Sequence, residues 1–416
     1  MPWLNETFLI NYFLCCTYTM RYINSDWMGG KVRSYGCDAI LCPIGKFNLH
    51  GRQVSDAQPC VECSSLKVAE YMGSVQCTLS PAKNLERSTL ESLYNSCGGP
   101  EWYKKKNWMS PDKDICEWEG VSCRRKKSVE ALLLGANNLV GTIPTEIFKM
   151  PALEWLWLYS NPVHVPFTNI SNTTKLKSLI LDSTGLSSLD GVQNVRNLVE
   201  LSVRFNSLTT LPTELAQLTY LESLSLAHNK LSGTLPLWLQ DFPRLRKLRM
   251  GSNQLSGPLP SFAQSSQLLY IDLSYNKIAG TIPNELLKGS SKLEGVYLDF
   301  SHNDLSGTVP SSFSRFSDLT LYLSDNRLTG VAESLCSMKE WNGGSVGIFG
   351  CNAILCPVGT FNVLGRQLNQ SIPCEKCEIN EYSGSSTCSS GRKMSGLNIK
   401  LLSISIVATL LLCGLS

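Results

Sequence analysis

Seventeen cysteines offer this 416-residue chain its most obvious chemistry, and their spacing is ordered. Cys37, Cys42, Cys60, Cys63 and Cys77 recur as Cys351, Cys356, Cys374, Cys377 and Cys388, and the first four of each set are separated by identical gaps. The residues between them recur too: CDAILCPIGKFNLHGRQ is matched by CNAILCPVGTFNVLGRQ 314 residues later, and Trp27, Gly29 and Gly30 are echoed by Trp341, Gly343 and Gly344. One module is therefore present twice. Thiolates at a C-x4-C and a C-x2-C could close on a tetrahedral zinc ion. The competing chemistry is disulfide formation, the usual reinforcement of a small module with few large apolar side chains. Sequons at Asn5, Asn169, Asn172 and Asn369 favour disulfides, because they point to the secretory route, where thiols oxidise.

Other reactive constellations are sparse. The histidines, His50, His164, His228 and His302, stand in no motif with a nucleophile or a metal-ligand partner at useful spacing. His228 and His302 share one place in the repeat described below and serines lie beside them, but exposed polar residues on a sheet account for both. No phosphate loop, kinase signature or dinucleotide fingerprint occurs. The expectation is a protein without a catalytic site, a metal or a cofactor. A net charge of +3 is small for this length, and the basic runs at 104–106 and 124–127 are short, so nucleic acid is not an expected partner.

What remains to position is a surface, and the middle of the chain supplies the scaffold. Asn137, Asn161, Thr184, Asn206, Asn229, Asn253, Asn276, Asn303 and Asn326 recur every 22 to 27 residues, most of them preceded by leucines at fixed offsets, as in Leu221, Leu224 and Leu226 before Asn229. The pattern LxxLxLxxNxL at this period predicts a leucine-rich repeat solenoid. Two leucines around one residue share a face of a short strand, and an asparagine, with both donors and an acceptor, can satisfy the backbone of the turn that follows. One coil cannot bury its own leucines, so coils must stack. Amphipathic helices are excluded by the Gly and Pro of LSGTLP and AGTIP, which would break each one. The predicted fold class is an α/β solenoid: a right-handed horseshoe or superhelix of about nine coils with a parallel β-sheet on its concave face, and small disulfide-rich modules at both ends.

Side chains that alternate with the buried leucines face outward on that sheet. They are Trp155, Trp157 and Tyr159 in the second coil, Arg204 and Phe205 in the fourth, His228 in the fifth, and Arg246, Lys247 and Arg249 in the sixth. The later coils add Asp272, Tyr275, Asp299, His302, Tyr322 and Asp325. Aromatic and arginine side chains dominate recognition surfaces. The candidate ligand-binding set is Trp155, Trp157, Tyr159, Arg204, Phe205, His228, Arg249 and Asp272.

Open solenoid ends need caps. Residues 84–128 contain a helix-like start, two tryptophans, and Cys116 and Cys123 around Trp118. This W…CxWxGVxC segment resembles the N-terminal cap of plant-type leucine-rich repeat proteins, and the LxGxIP endings of repeats one and five to nine resemble the same class. The flanking modules resemble the ephrin-receptor-like cysteine-rich repeat attached to such solenoids in algal and other protist surface proteins. The resemblance implies a Cys116–Cys123 disulfide. Repeats two to four lack LxGxIP, so a second, convex sheet is not expected there. Setting aside Cys15, Cys16 and Cys413, fourteen cysteines remain, and we expect all of them to be oxidised, with Cys97 and Cys336 joining their modules to the solenoid ends.

The expected organisation is an uncertain leader at 1–30, a cysteine-rich module at 31–80, the cap at 84–128, repeats at 129–335, a second module at 336–388 and a membrane-anchor signal at 389–416. That last segment orders small residues Ser389, Ser390 and Gly391, a polar spacer and an apolar tail at 401–415, the arrangement of a glycolipid-anchor signal. A single C-terminal span is the alternative. The N-terminal stretch lacks a basic n-region, which leaves a degenerate signal or a missed start site. The expected function is a cell-surface, receptor-like recognition protein without a kinase. It would bind an extracellular protein, peptide or glycan on the concave face, with a membrane coreceptor for signalling. The alternatives are a secreted inhibitor of an extracellular hydrolase and a structural or adhesive cell-wall protein.

Overall fold

In the computed structural model the described residues are 38, 42, 46–50, 52, 53, 55–63, 81–125, 128–167, 175–290, 295–377 and 379–388. They fall in two compact units, Met1–Leu176 and Lys177–Ser416.

The second unit shows the repeat at its most regular. Strands Ser178–Ile180, Glu200–Ser202, Ser223–Ser225, Lys247–Arg249, Tyr270–Asp272, Val296–Asp299 and Leu319–Tyr322 pair in parallel without a register shift. Their apolar centres, Leu179, Leu201, Leu224, Leu248, Ile271, Leu298 and Leu321, stand opposite one another and are fully buried. Burying each such side chain is worth roughly 1.5–3 kcal/mol, and the register lets every coil cover the next. A second parallel sheet, Ser232–Thr234, Gln254–Pro258, Lys277–Thr281, Asp304–Val309 and Arg327–Val331, runs through repeats five to nine. Short 3-10 helices such as Thr213–Gln217 and Ser311–Arg315 make the return, so the solenoid's helical component is tighter than an α-helix.

Each strand ends in the same turn. The residue before the ladder position has a left-handed backbone in every repeat, for example Phe205 at φ 54°, His228 at φ 55° and Tyr275 at φ 52°. A non-glycine residue holds this region only when its surroundings impose it. The asparagine does so. Asn253 Nδ2 donates to Met250 O and Gly251 O of its own coil and to Leu226 O of the preceding coil, while Oδ1 accepts from Leu231 N. Thr184 manages one carbonyl, Leu181 O, at 2.8 Å.

In the first unit Val121–Arg124 pairs antiparallel with Ser128–Leu133, which runs parallel to Trp155–Trp157. The cap is built on helix α1, Pro81–Ser96, whose Leu90 and Leu93 are fully buried. Tyr94, Trp102, Trp108 and Trp118 pack ring against ring, with centroids 4.8–5.9 Å apart, and Arg87 lies over Trp118. A short pair, Gly141–Thr142 with Val163–His164, places a second-sheet strand in repeat two, which lacks LxGxIP. The backbone of NPVHV is extended enough to pair without that motif.

The duplicated modules repeat in detail. Cys42–Cys60 corresponds to Cys356–Cys374, and Lys46–Phe47 pairs with Val61–Glu62 as Thr360–Phe361 does with Glu375–Lys376. Asn48 Nδ2 bonds Gln58 O and Pro59 O, and Asn362 Nδ2 bonds Ile372 O and Pro373 O. Cys116–Cys123, Cys336–Cys351 and Cys377–Cys388 are disulfides, and Cys63 is disulfide-bonded as well. The thiolates of the zinc alternative are thus consumed in the second module. Cys336 ties the last repeat to its module as expected, but Cys97 does not act likewise. It is a buried free thiol at the end of α1 whose Sγ lies 3.4 Å from Thr142 O. Burial pushes that thiol above its ordinary pKa, so it behaves as a small core residue.

The second module also closes the solenoid. Trp341 is fully buried and donates its indole N–H to Phe316 O. Asn342 takes a ladder position of its own, accepting from Leu321 N and donating to Ala353 O. The last strand's turn is held by Asp325, whose N–H donates to Gly384 O and whose Oδ1 accepts from Ser386 N.

Candidate functional site

The eight sequence-derived residues divide between the units. Trp155, Trp157 and Tyr159 lie in the first. Leu156 between the tryptophans is fully buried, and all three aromatics are half-buried. Tyr159 packs its ring flat against Gly135, where no side chain could fit.

The other five belong to the second unit. Arg204 is engaged by its own protein: Nε and Nη2 reach Asp182 Oδ2 at 2.9 and 2.8 Å, and the Arg204 N–H and Ser202 Oγ donate to Oδ1. It is a stitch between the third and fourth coils. Phe205 is 53% exposed and stacks on His228, with centroids 4.2 Å apart and planes 8° apart. Tyr275 and His302 repeat the arrangement at 4.0 Å and 15°. Burial lowers the His228 pKa, with Asp272 opposing, so its imidazole is mostly neutral at physiological pH.

Arg249 stands at one end of a second column. Its guanidinium lies 4.4 Å from the centroid of Tyr270; Tyr270 stacks on Tyr297 at 4.3 Å and 3°, Tyr297 meets Tyr322 at 5.5 Å with the planes tilted by 43°, and the Arg366 guanidinium lies 3.9 Å from the Tyr322 centroid. Three phenol rings are closed at both ends by cations, an arrangement favoured by the ring quadrupole. Burial pushes Tyr270 and Tyr297 above the ordinary phenol range, Tyr297 the further because Asp299 adds to it, so both remain hydroxyl donors. Asp272 and Asp299 each accept from a serine two residues on, Ser274 and Ser301. Burial raises the Asp299 pKa, and Arg366 opposes that shift.

Tyr270, Tyr297 and Arg366 were absent from the sequence-derived set. The tyrosines occupy the first outward place of their strands, so the alternation that found Asp272 and Asp299 contains them. Arg366 comes from the module, 45 residues beyond Leu321, whose carbonyl it binds. Asn369 is exposed in a turn in which its Oδ1 accepts from Ser371 and Ile372 N–H. Asn5, Asn169 and Asn172 lie outside the described residues. Among those residues no cluster of histidine, cysteine and carboxylate side chains could hold a metal ion, and no helix is long and apolar enough to cross a membrane.

Comparison with known proteins agrees with this geometry. A family model described as Leucine rich repeat matches residues 196–255, and a second, Leucine Rich Repeat, matches 267–288 and 296–316. The chain is 40% identical over 58 residues to the LRR receptor-like serine/threonine-protein kinase FEI 2 of Arabidopsis thaliana, 14% of this chain and 10% of that protein. It is 32% identical over 116 residues to the Arabidopsis thaliana receptor-like protein kinase HAIKU2, 26% of this chain and 12% of that protein. These matches span only about a tenth of the relatives' length. The crystal structure of PEPR1-AtPEP1 is similar with a TM-score of 0.51 and 27% identity, covering 62% of this chain and 37% of that one.

Proposed function

We propose, on the premise that the chain is a plant-type leucine-rich repeat protein, that it is an extracellular recognition protein whose concave face in the second unit binds an extended peptide segment. The observation that carries this reading is the set of half-exposed side chains Arg249 and Asp272 on register-locked strands and Phe205, His228 and Tyr275 in the turns that end such strands. Rigid presentation limits the ordering cost of binding. The similarity to PEPR1-AtPEP1 supports a ligand-binding role. Disulfides support a location outside the cell.

The test is affinity for peptides selected from a displayed library on the full, secreted chain. Phe205→Ala combined with Arg249→Ala is expected to weaken binding at least tenfold, as truncation of anchor residues does, with little change in unfolding temperature. Unchanged affinity would remove this face as the site. Arg204→Ala is the poorer probe, since it also strips Asp182 of its partner.

Attachment to the membrane is part of the same proposal and rests on the tail at 389–416, which lies outside the described residues. Treating intact cells with a phosphatidylinositol-specific phospholipase is expected to release the protein into the medium. Retention in the membrane pellet would replace the lipid anchor with a polypeptide span.

A further inference from the structure

The residues before the ladder asparagines form one column on the concave side. Phe205, His228, Ser252, Tyr275 and His302 share a left-handed backbone, with φ of 54°, 55°, 55°, 52° and 52°. The strands ahead of them pair in unbroken register, so their side chains leave in the same direction and successive rings stack. Phe205 covers His228 and His302 covers Tyr275, at 4.2 and 4.0 Å. Between the two pairs stands Ser252, preceded by Gly251, and the sixth coil contributes no ring.

We propose that this interrupted rung is a slot for one tyrosine or tryptophan side chain of a bound peptide, held flat between His228 and Tyr275 above Ser252. Two strand spacings separate the walls, about 9.6 Å. A ring midway would lie within the range at which aromatic planes stack, about 4.5–7 Å between centroids. Both walls retain an open face: Tyr275 is 56% exposed and His228 is exposed although each has a neighbour on its other side. The floor is polar. A Cβ on Gly251 would sit 2.8 Å from Asp272 Oδ1 and 2.9 Å from Ser274 Oγ, so the Asp272 carboxylate borders the slot. Its Oδ1 accepts from both the N–H and the hydroxyl of Ser274, which holds the carboxylate at the edge of the slot. The parallel column of Tyr270, Tyr297 and Tyr322 offers no such opening, because Arg249 and Arg366 close its ends.

This inference rests on the reading that the face binds a peptide, and the experiment separates the two. Ser252→Tyr would fill the rung, and the backbone there tolerates it, since four aromatic or imidazole side chains in the same column hold the same conformation. Peptides selected on the full chain are expected to carry a tyrosine or tryptophan whose replacement by alanine weakens binding roughly ten- to a hundredfold, as truncation of a buried aromatic anchor does. Ser252→Tyr should weaken them to the same degree without lowering the unfolding temperature. Ser232→Tyr, which puts the ring on the other sheet, should leave affinity unchanged. Peptides that lose affinity with Phe205→Ala and Arg249→Ala but bind Ser252→Tyr normally would overturn the slot alone. Peptides indifferent to all of these changes would overturn both readings. Glycan-array binding blocked by Ser252→Tyr, with no aromatic peptide recovered, would replace the aromatic side chain with a sugar.

Discussion

Asn229→Ala is expected to destabilise the second unit by roughly 3–5 kcal/mol, far more than its loss of volume would suggest. The side chain makes four buried hydrogen bonds. Nδ2 donates to Leu226 O at 3.0 Å, Ala227 O at 3.3 Å and Val203 O at 2.9 Å, and Oδ1 accepts from Leu208 N at 3.0 Å. Two of these partners belong to its own turn and two to the preceding coil. Alanine would leave the Leu208 N–H without its partner, at about 1–3 kcal/mol, and would strip one donor each from Leu226 O, Val203 O and Ala227 O, which keep Asn253 Nδ2, Asn206 Nδ2 and the Phe205 N–H, at roughly 0.5–1.5 kcal/mol apiece. It would also release the constraint that keeps His228 at φ 55°. Thr184→Ala provides the scale, because Thr184 Oγ1 reaches one backbone carbonyl, Leu181 O at 2.8 Å, and only a long contact to Asn206 Oδ1 at 3.4 Å beside it. That change is expected to cost about 1 kcal/mol. Urea unfolding of both variants measures the difference, and an Asn229→Ala loss no larger than that of Thr184→Ala would show that the ladder does not stitch the coils.

The part of this architecture that could be read from sequence is the part imposed by period. Leucines two apart must share a face, and a recurring asparagine must serve a recurring turn, so strand register from Leu179 to Leu321 followed from spacing. Interactions between coils did not, because adjacency in the column joins residues 20 or more apart whose types vary freely. Arg204 reads as a free cation in the sequence, whereas in the fold the carboxylate of Asp182, one coil away, holds it at 2.8 Å. Tyr270 and Tyr297 obey the alternation rule, yet their value as a stack emerges only when the register sets them face to face. Cys97 illustrates the opposite error. Parity of the cysteine count argued for a bond, while at the end of α1 the buried thiol meets Thr142 O and the Trp102 indole N–H donates to the Cys97 carbonyl. The module's own contribution to the face was the least visible, since nothing local in GRQ tells Arg366 which strand it will meet.

That arginine supplies the second large effect. Arg366→Met is expected to cost the second unit about 2–4 kcal/mol, the range for deleting a buried, charged hydrogen-bond donor. Arg366 is 5% exposed, donates Nη1 to Leu321 O at 2.8 Å, and closes the tyrosine column over Tyr322. Methionine can replace the packing but neither the donor nor the charge. Arg327→Met is the comparison: Arg327 pairs with Asp304 at 2.8 Å, but both side chains are well exposed, so the loss should stay under about 1 kcal/mol. The charge has a separate signature. Asp299 has its pKa raised by burial, and Arg366 opposes that shift. A carboxyl raised on folding favours the folded state while protonated and loses that contribution as pH rises through its shifted range. Without the guanidinium the shift grows, so the deficit of Arg366→Met relative to the parent should widen from acid toward neutral pH. Unfolding measured across that interval decides the role of the residue. A deficit that is constant with pH would reduce Arg366 to a donor for Leu321, whereas a widening one assigns it to the electrostatics of the concave face, where a module outside the repeats then helps to set the charge that a ligand meets.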